Sequence, residues 1–305
     1  MRMYVENLTK FSLKECISQY LYWKSSYALV ASERYKVRLN HFAKFFGENT
    51  SVTDLSINAI ITYHKHMETL ENYSRGTISY STRILKNFFE YLRDCNISCL
   101  NPRQIRCVKY IQPDKDITTE RIFKQMNQTL VEQNFEDLIK KLVIHLLYDT
   151  GMRVSELCEL NISDIEETDI PGIRCATIRR RKSLRYNTVV WGTETNRLMN
   201  LYLGLRFCFD SNNDALLVSR RNGGQRITTR SIQRWINDIS IKSNIEKKIT
   251  PHSFRHGKAH QVLNKSGNVR DVQAILGHVN PQSSFSYLSL NREGQIEVSG
   301  KYLLA

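Results

Sequence analysis

No two of the seven cysteines stand at Cys-x-x-Cys spacing, and no histidine cluster follows them at zinc-finger distance. That pattern argues against a structural zinc site. Cys95 and Cys99, four apart, are the nearest pair and read as free thiols suited to a reducing compartment. No stretch approaches the roughly 18 consecutive apolar residues of a membrane span. The opening MRMYVENLTK lacks the apolar centre of a signal peptide. The expectation is a soluble, intracellular protein without a membrane partner. No internal repeat is visible, and the one biased tract is Arg179-Arg180-Arg181-Lys182.

What is abundant is positive charge. The 305 residues hold 44 Lys plus Arg against 30 Asp plus Glu, a formal net charge of +14. Such a surplus suits a polyanionic partner, most often nucleic acid; charge alone leaves a generally basic protein equally open. A hydrophobic content of 41% over this length supports more than one packed core, and two domains are expected.

The first hundred residues carry only helical periodicity. Helices are predicted over 9–23 (Leu13, Ile17, Tyr20, Leu21, with Thr9 as cap), 32–46 (Tyr35, Leu39, Phe42, Phe45, Phe46, stopped by Gly47), 56–70 (Ile57, Ile60, Ile61, His64, Met67, capped by Ser56) and 77–93 (Ile78, Leu85, Phe88, Phe89, Leu92). Together they make a small bundle. His64 and His66 fall within it and read as surface or packing residues. Residues 103–118 read as a basic linker, ended by Pro113, Asp114 and Asp116. Its Arg103, Arg106 and Lys109 are candidate DNA contacts, since a strap along phosphates and a plain connector both fit.

From 119 the pattern is mixed. Helices are expected over 119–130, 135–148, from 154, and over 193–207, 228–243, 253–265 and 269–276, with a short one at 283–290. IRCATI (173–178) and YNTVVW (186–191) are strand-like and should form a hairpin with a basic tip.

Three segments carry chemistry. In TGMRVSELCEL (150–160), Gly151 ends one helix and Arg153 emerges before the next. Taken alone Arg153 reads as an ordinary surface arginine; a long cation at such a junction also suits reaching over a groove. In TPHSFRHGKAH (250–260), Pro251 suits a helix start. His252 and Arg255 then share a face, and Phe254 faces inward. His256 and His260 sit four apart, but no carboxylate stands at His-Glu-x-x-His spacing, so a metal is not expected. In LGHVNPQSSFSYLSL (276–290), His278 follows Gly277, and Tyr287 comes nine residues later. Two arginines can clamp a phosphate, two histidines can donate to it or move protons, and a tyrosine can attack it. A tyrosine with a pKa near 10 needs a base or strong stabilisation of its phenolate.

Together these segments, in this order and at these spacings, resemble the tyrosine recombinases, also called the phage-integrase family. FFEYLRDCNISCLNP (88–102) resembles the end of that family's SAM-like core-binding domain, so the resemblance spans nearly the whole chain. It implies a mainly α fold with a small β-sheet: a four-helix core-binding domain (1–102), the linker (103–118) and an α+β catalytic domain with a C-terminal tail (119–305). It implies that Arg153 and Arg255 hold the scissile phosphate, His278 hydrogen-bonds to it, His252 serves as acid or base, and Tyr287 takes up a 3′-phosphotyrosyl link. The family also uses a hairpin lysine to protonate the departing 5′-oxygen. Lys182 aligns there, although the common Gly-Lys-Gly is Arg181-Lys182-Ser183 here. Glu156 is expected to orient Arg153, and Arg180 and Arg185 beside Lys182 are further candidate DNA contacts.

No cofactor and no metal are implied. The implied partners are double-stranded DNA with paired sites and copies of the same chain, a tetramer in the synapse, with room for accessory DNA-bending proteins. The implied location is a prokaryotic cytoplasm, at the nucleoid. The chain opens almost directly on the core-binding helices, which suits a compact Xer-like recombinase, a transposon resolvase, or a small integrase or invertase without an arm-binding domain. Two other readings share these residues: a type IB topoisomerase that relaxes DNA without pairing sites, and a DNA-binding relative that no longer cuts.

Overall fold

A computed structural model describes residues 11–27, 29–110, 116–179, 186–206, 213–219 and 223–277. The chain divides into two compact units, Met1–Pro113 and Asp114–Ala305.

The first unit is helical: α1 (Leu13–Ser25), α2 (Leu29–Phe46), α3 (Ile57–Thr69) and α4 (Arg75–Asp94). Three of these helices begin where a serine side chain accepts an orphan backbone N–H. Ser56 caps α3 and Ser74 caps α4. α1 starts later than its apolar pattern suggests, because Ser12 and Glu15 form a capping box; the predicted cap Thr9 lies outside the described residues. Leu13, Ile17, Tyr20, Leu39, Phe42, Ile60, Tyr63, Met67, Ile78, Leu85, Phe88, Phe89 and Leu92 fill the core. Ile61, expected on the inner stripe of α3, is instead 47% exposed. Ile60, Tyr63 and Met67 already form the inward row, and position 61 lies a step round the helix from it. His64 shares a hydrogen bond with Thr82 Oγ1 (2.9 Å), and His66 with Glu71 (3.2 Å), so both serve packing and surface pairing.

Residues 101–110 close this unit. Asn101 caps a 3-10 turn over Pro102–Gln104, Ile105 is fully buried in the core, and the Tyr110 ring covers Gly76. Arg103, Arg106 and Lys109 are exposed along this segment.

The second unit is built round α6 (Phe135–Thr150), which is buried on nearly every side, as expected of a helix apolar all round. Packed about it are α5 (Glu120–Gln128), α8 (Thr193–Arg206), α9 (Thr229–Lys242), α10 (Pro251–Ser266) and the short α7 (Val154–Glu159). Its sheet runs β1 (Ile165–Glu167), β2 (Arg174–Arg179), β3 (Tyr186–Trp191), all antiparallel. The expected hairpin is β2–β3, in register from Arg174 opposite Trp191 to Arg179 opposite Tyr186. Residues 180–185, which join these strands in sequence, lie outside the described residues. β4 (Val218–Ser219) and β5 (Gln225–Arg226) make a separate ribbon. α11 (Val269–Leu276) packs its Val272 and Leu276 on Ala259, Val262 and Leu263 of α10. The architecture is thus mainly α with a small antiparallel sheet, as expected. The predicted helix at 283–290 lies outside the described residues. Among the described residues, no helix is long and apolar enough to cross a membrane.

Candidate active site

The site begins with a sharp turn. Gly151 ends α6 in the left-handed region (φ 62°), its N–H donating to the Leu147 carbonyl. A Cβ there would lie 2.7 Å from Leu276 Cδ2 and 3.0 Å from Lys258, so glycine is required both by conformation and by space. Two residues on, Arg153 stands at the N-cap of α7. No side chain caps this helix from the N-cap itself; instead the Glu156 carboxylate accepts from the Arg153 N–H (2.8 Å) and from its Nη1 (2.7 Å). Glu156 is 8% exposed and Arg153 41%. A buried carboxylate thus grips the arginine at base and head, leaving the guanidinium at the surface in a fixed direction.

The second component is the start of α10. Thr250 caps it by accepting from the Ser253 N–H, and Pro251 occupies the first turn, where its missing N–H costs nothing. His252 is exposed, Phe254 fully buried, and Arg255 only 4% exposed. Arg255 donates from Nη1 to the Gly151 carbonyl and from Nη2 to the Leu276 carbonyl, both at 2.8 Å. One guanidinium therefore joins the ends of α6 and α11 to α10. The segment before α5 runs across the same helix: the Thr118 N–H donates to the Ser253 carbonyl (3.0 Å). A Cβ on Gly257 would sit 2.2 Å from the Thr118 carbonyl oxygen.

Arg153, His252 and Arg255 all line one open depression of about 520 Å³. Five residues outside the sequence-based set share it: Asp116, Lys248 and His256, with Thr250 and Ser253 of the α10 cap. Asp116 accepts from the Lys248 N–H at 3.2 Å. A contact across 132 positions leaves no local pattern, so sequence periodicity had nothing to detect. His256, weighed only as a metal-type pair with His260, instead lies 6.4 Å, ring to ring, from His252. His260 is half-buried, and burial pushes its pKa down.

The remaining sequence-based candidates, Lys182, Arg180 and Arg185 between β2 and β3 in sequence and His278 and Tyr287 after α11 in sequence, lie outside the described residues. The elements that lead to them are described. β2 and β3 are paired as far as Arg179 opposite Tyr186. α11 is capped by Gly277 (φ 56°), directly before position 278, and its last carbonyl is one of the two that Arg255 holds.

This geometry can be set beside known proteins. Residues 116–293 match the model described as "Phage integrase family". Tyrosine recombinase XerC of Listeria innocua is 26% identical over 298 residues, covering 92% of this chain and 94% of that protein. The structure of the Tn1549 transposon integrase in complex with transposon right end DNA aligns with a TM-score of 0.77 at 16% identity, covering 97% of this chain and 100% of that one. A lambda integrase tetramer bound to a Holliday junction aligns with a TM-score of 0.72 at 14% identity, covering 92% and 78%. The family match takes in the Gly151 turn, Arg153, the whole of α10, and positions 278 and 287, and on it the chain belongs to the phage integrase family, that of the tyrosine recombinases.

Proposed function

We propose that the chain is a site-specific DNA recombinase in which Arg153 and Arg255 hold the scissile phosphate while Tyr287 attacks it. The observation that carries this is the convergence of Arg153, His252 and Arg255 on one depression at the start of α10. The first turn of a 16-residue helix adds a positive dipole end to that depression. An anion is therefore the natural occupant, and a phosphodiester oxygen matches the guanidinium forks.

In the step proposed, the Tyr287 phenolic oxygen forms a bond to phosphorus as the bond to the 5′-oxygen breaks. His252 takes the phenol proton, and Lys182 gives one to the departing 5′-oxygen. Charge grows on the non-bridging oxygens, where fixed cations lower the barrier most. His278 hydrogen-bonds to the same phosphate. The product is a 3′-phosphotyrosyl link and a free 5′-hydroxyl. A 5′-hydroxyl of another strand then reverses the step, so no nucleotide hydrolysis is required. Glu156 serves by holding Arg153 and does not react.

Double-stranded DNA is the proposed substrate and a tetramer on two sites the proposed working assembly. The DNA in the Tn1549 integrase structure and the tetramer of the lambda integrase structure support that reading. Arg103, Arg106 and Lys109, exposed on the first unit, are proposed phosphate contacts, as are Arg180 and Arg185. Accessory DNA-bending proteins are compatible with this scheme. The test is strand exchange between two plasmid-borne copies of the DNA flanking the gene. Recombinant products support the reading; relaxation of supercoils without exchange contradicts it in favour of a topoisomerase.

A further inference from the structure

Residues 116–118, read from sequence as the end of the linker, lie against the start of α10. The Thr118 N–H donates to the Ser253 carbonyl (3.0 Å). The Thr118 carbonyl lies so close to Gly257, one turn on, that a side chain there has no room. Thr118 is 2% exposed. Asp116, half-buried, accepts from the Lys248 N–H through Oδ2 (3.2 Å) and lines the depression with Arg153, His252 and Arg255. The downstream end of this stretch is fixed as well, because Thr119 caps α5, its Oγ1 accepting from the Ile122 N–H (3.3 Å).

His252 lies between the two points so held, Lys248 and Ser253. It belongs to the first turn of α10, and helix ends fray. The Thr250–Ser253 capping box ties that turn to its own helix, but it leaves the loop that enters the helix unrestrained. Asp116 restrains that loop from outside α10. A carboxylate accepting a backbone N–H makes a charge-assisted bond, stronger than a neutral one. The other charged residues lining the depression are cations suited to a phosphate. A carboxylate among them is no phosphate ligand, and its observed bond is to the protein.

We infer that Asp116 is a positioning residue for strand cleavage: together with the Thr118 N–H it braces the entry to α10, and so fixes His252 relative to Arg153 and Arg255. The inference rests on the cleavage reaction proposed above. Losing the bond lets the entry of α10 fray, which moves the histidine without unfolding the unit. A hydrogen bond to a charged group shifts such a local equilibrium by about 10- to 100-fold. A displacement of about 1 Å at a catalytic group costs on the order of 100-fold in rate.

The experiment compares wild type with Asp116→Ala, which removes the acceptor, and Asp116→Asn, whose amide oxygen still accepts from the Lys248 N–H. The readouts are amide hydrogen exchange across residues 248–256, single-turnover cleavage of a nicked DNA site, DNA affinity and melting temperature. In Asp116→Ala, exchange in that stretch should rise by about 10-fold and cleavage should slow by about 10-fold or more. DNA affinity should stay within about threefold, because many other cations contact phosphates. The melting temperature should fall by no more than about 3 °C, leaving the chain folded in the assay. Asp116→Asn should bring exchange and rate back to within about threefold of wild type. Wild-type exchange and rate in Asp116→Ala overturn the inference. So does an Asp116→Asn as slow as Asp116→Ala, which makes the charge, not the bond, the active feature. A fall of affinity in step with rate overturns it by giving Asp116 a part in DNA binding, and a larger fall in melting temperature marks a merely structural residue. Hydrogen exchange keeps the two claims apart. If wild type forms no cleavage product, the proposed function fails, while unchanged exchange in Asp116→Ala overturns the brace whatever the cleavage result.

Discussion

Arg255 and Gly151, 104 positions apart in sequence, are joined by a 2.8 Å hydrogen bond from Nη1 to the glycine carbonyl. The same guanidinium reaches the Leu276 carbonyl at 2.8 Å. Arg255 is therefore a structural tie as well as a proposed phosphate ligand, whereas Arg153 is held by one neighbour, Glu156, and is far more exposed.

The two arginines should respond differently to substitution. Arg153→Ala and Arg255→Ala are each expected to slow cleavage by about 100- to 1000-fold or more, the usual effect of removing a fixed charge from a transition state. DNA affinity should fall much less. Arg255→Ala should also lower stability by about 1–3 kcal/mol, because two buried carbonyls lose their donor. Arg255→Lys should not recover activity, since an ammonium lacks the planar fork that spans both carbonyls. Denaturant melts beside single-turnover rates check this. Equal losses of binding and cleavage would mean that these arginines serve affinity alone.

Glycine-to-alanine changes give a sharper test of the packing around α10. In an exposed helix, alanine stabilises by about 0.5–1 kcal/mol. Gly204 in α8 meets nothing within 4 Å and should follow that rule. Gly257 in α10 should reverse it, losing about 2 kcal/mol or more, because its Cβ would fall 2.2 Å from the Thr118 carbonyl oxygen. Thermal melts of the two variants should shift in opposite directions; a stabilising Gly257→Ala would contradict the close crossing of residues 116–118 over α10.

Much of this was legible in sequence, for identifiable reasons. Ser56 before an apolar helical stripe marks the start of α3, and β-branched runs either side of a basic tip mark the β2–β3 hairpin. Gly151, Arg153, His252 and Arg255 were legible because their order and spacing survive as a pattern. The burial of Arg255 was not, since nothing local says that its donors go to carbonyls 104 and 21 positions away. The Asp116–Lys248 contact and the need for glycine at 257 were hidden for the same reason. β1 (Ile-Glu-Glu) escaped detection because it has no apolar alternation; it exists by pairing with β2.

One source of acid sensitivity is His145 of α6, which is 5% exposed and hydrogen-bonded to Asn127 Oδ1 at 3.0 Å. Burial lowers its pKa, against smaller raising effects from Asp149 and Glu194. A histidine whose folded pKa lies below its unfolded value of about 6.5 binds fewer protons when folded. Its contribution is complete above that value and is lost as pH falls through the folded pKa. Glu132, held down to about 2 by hydrogen bonds from Arg197 and Lys141, acts only in a lower window. Stability should therefore begin to decline below about pH 6.5, and His145→Gln should lessen the decline between that point and the carboxylate range, leaving the shares of His64 and His260, whose pKa values burial also lowers. An unchanged pH profile of the melting temperature would show that His145 is not a contributor.

The central claim is that Tyr287 becomes joined to DNA, and covalent capture tests it most directly. A DNA site nicked near the cleavage point, incubated with the protein in chelator, should trap a 3′-phosphotyrosyl adduct that maps by peptide mass to Tyr287. Tyr287→Phe should lose the adduct and keep DNA binding. An adduct on another tyrosine, or one that forms only when magnesium is supplied, would contradict the account.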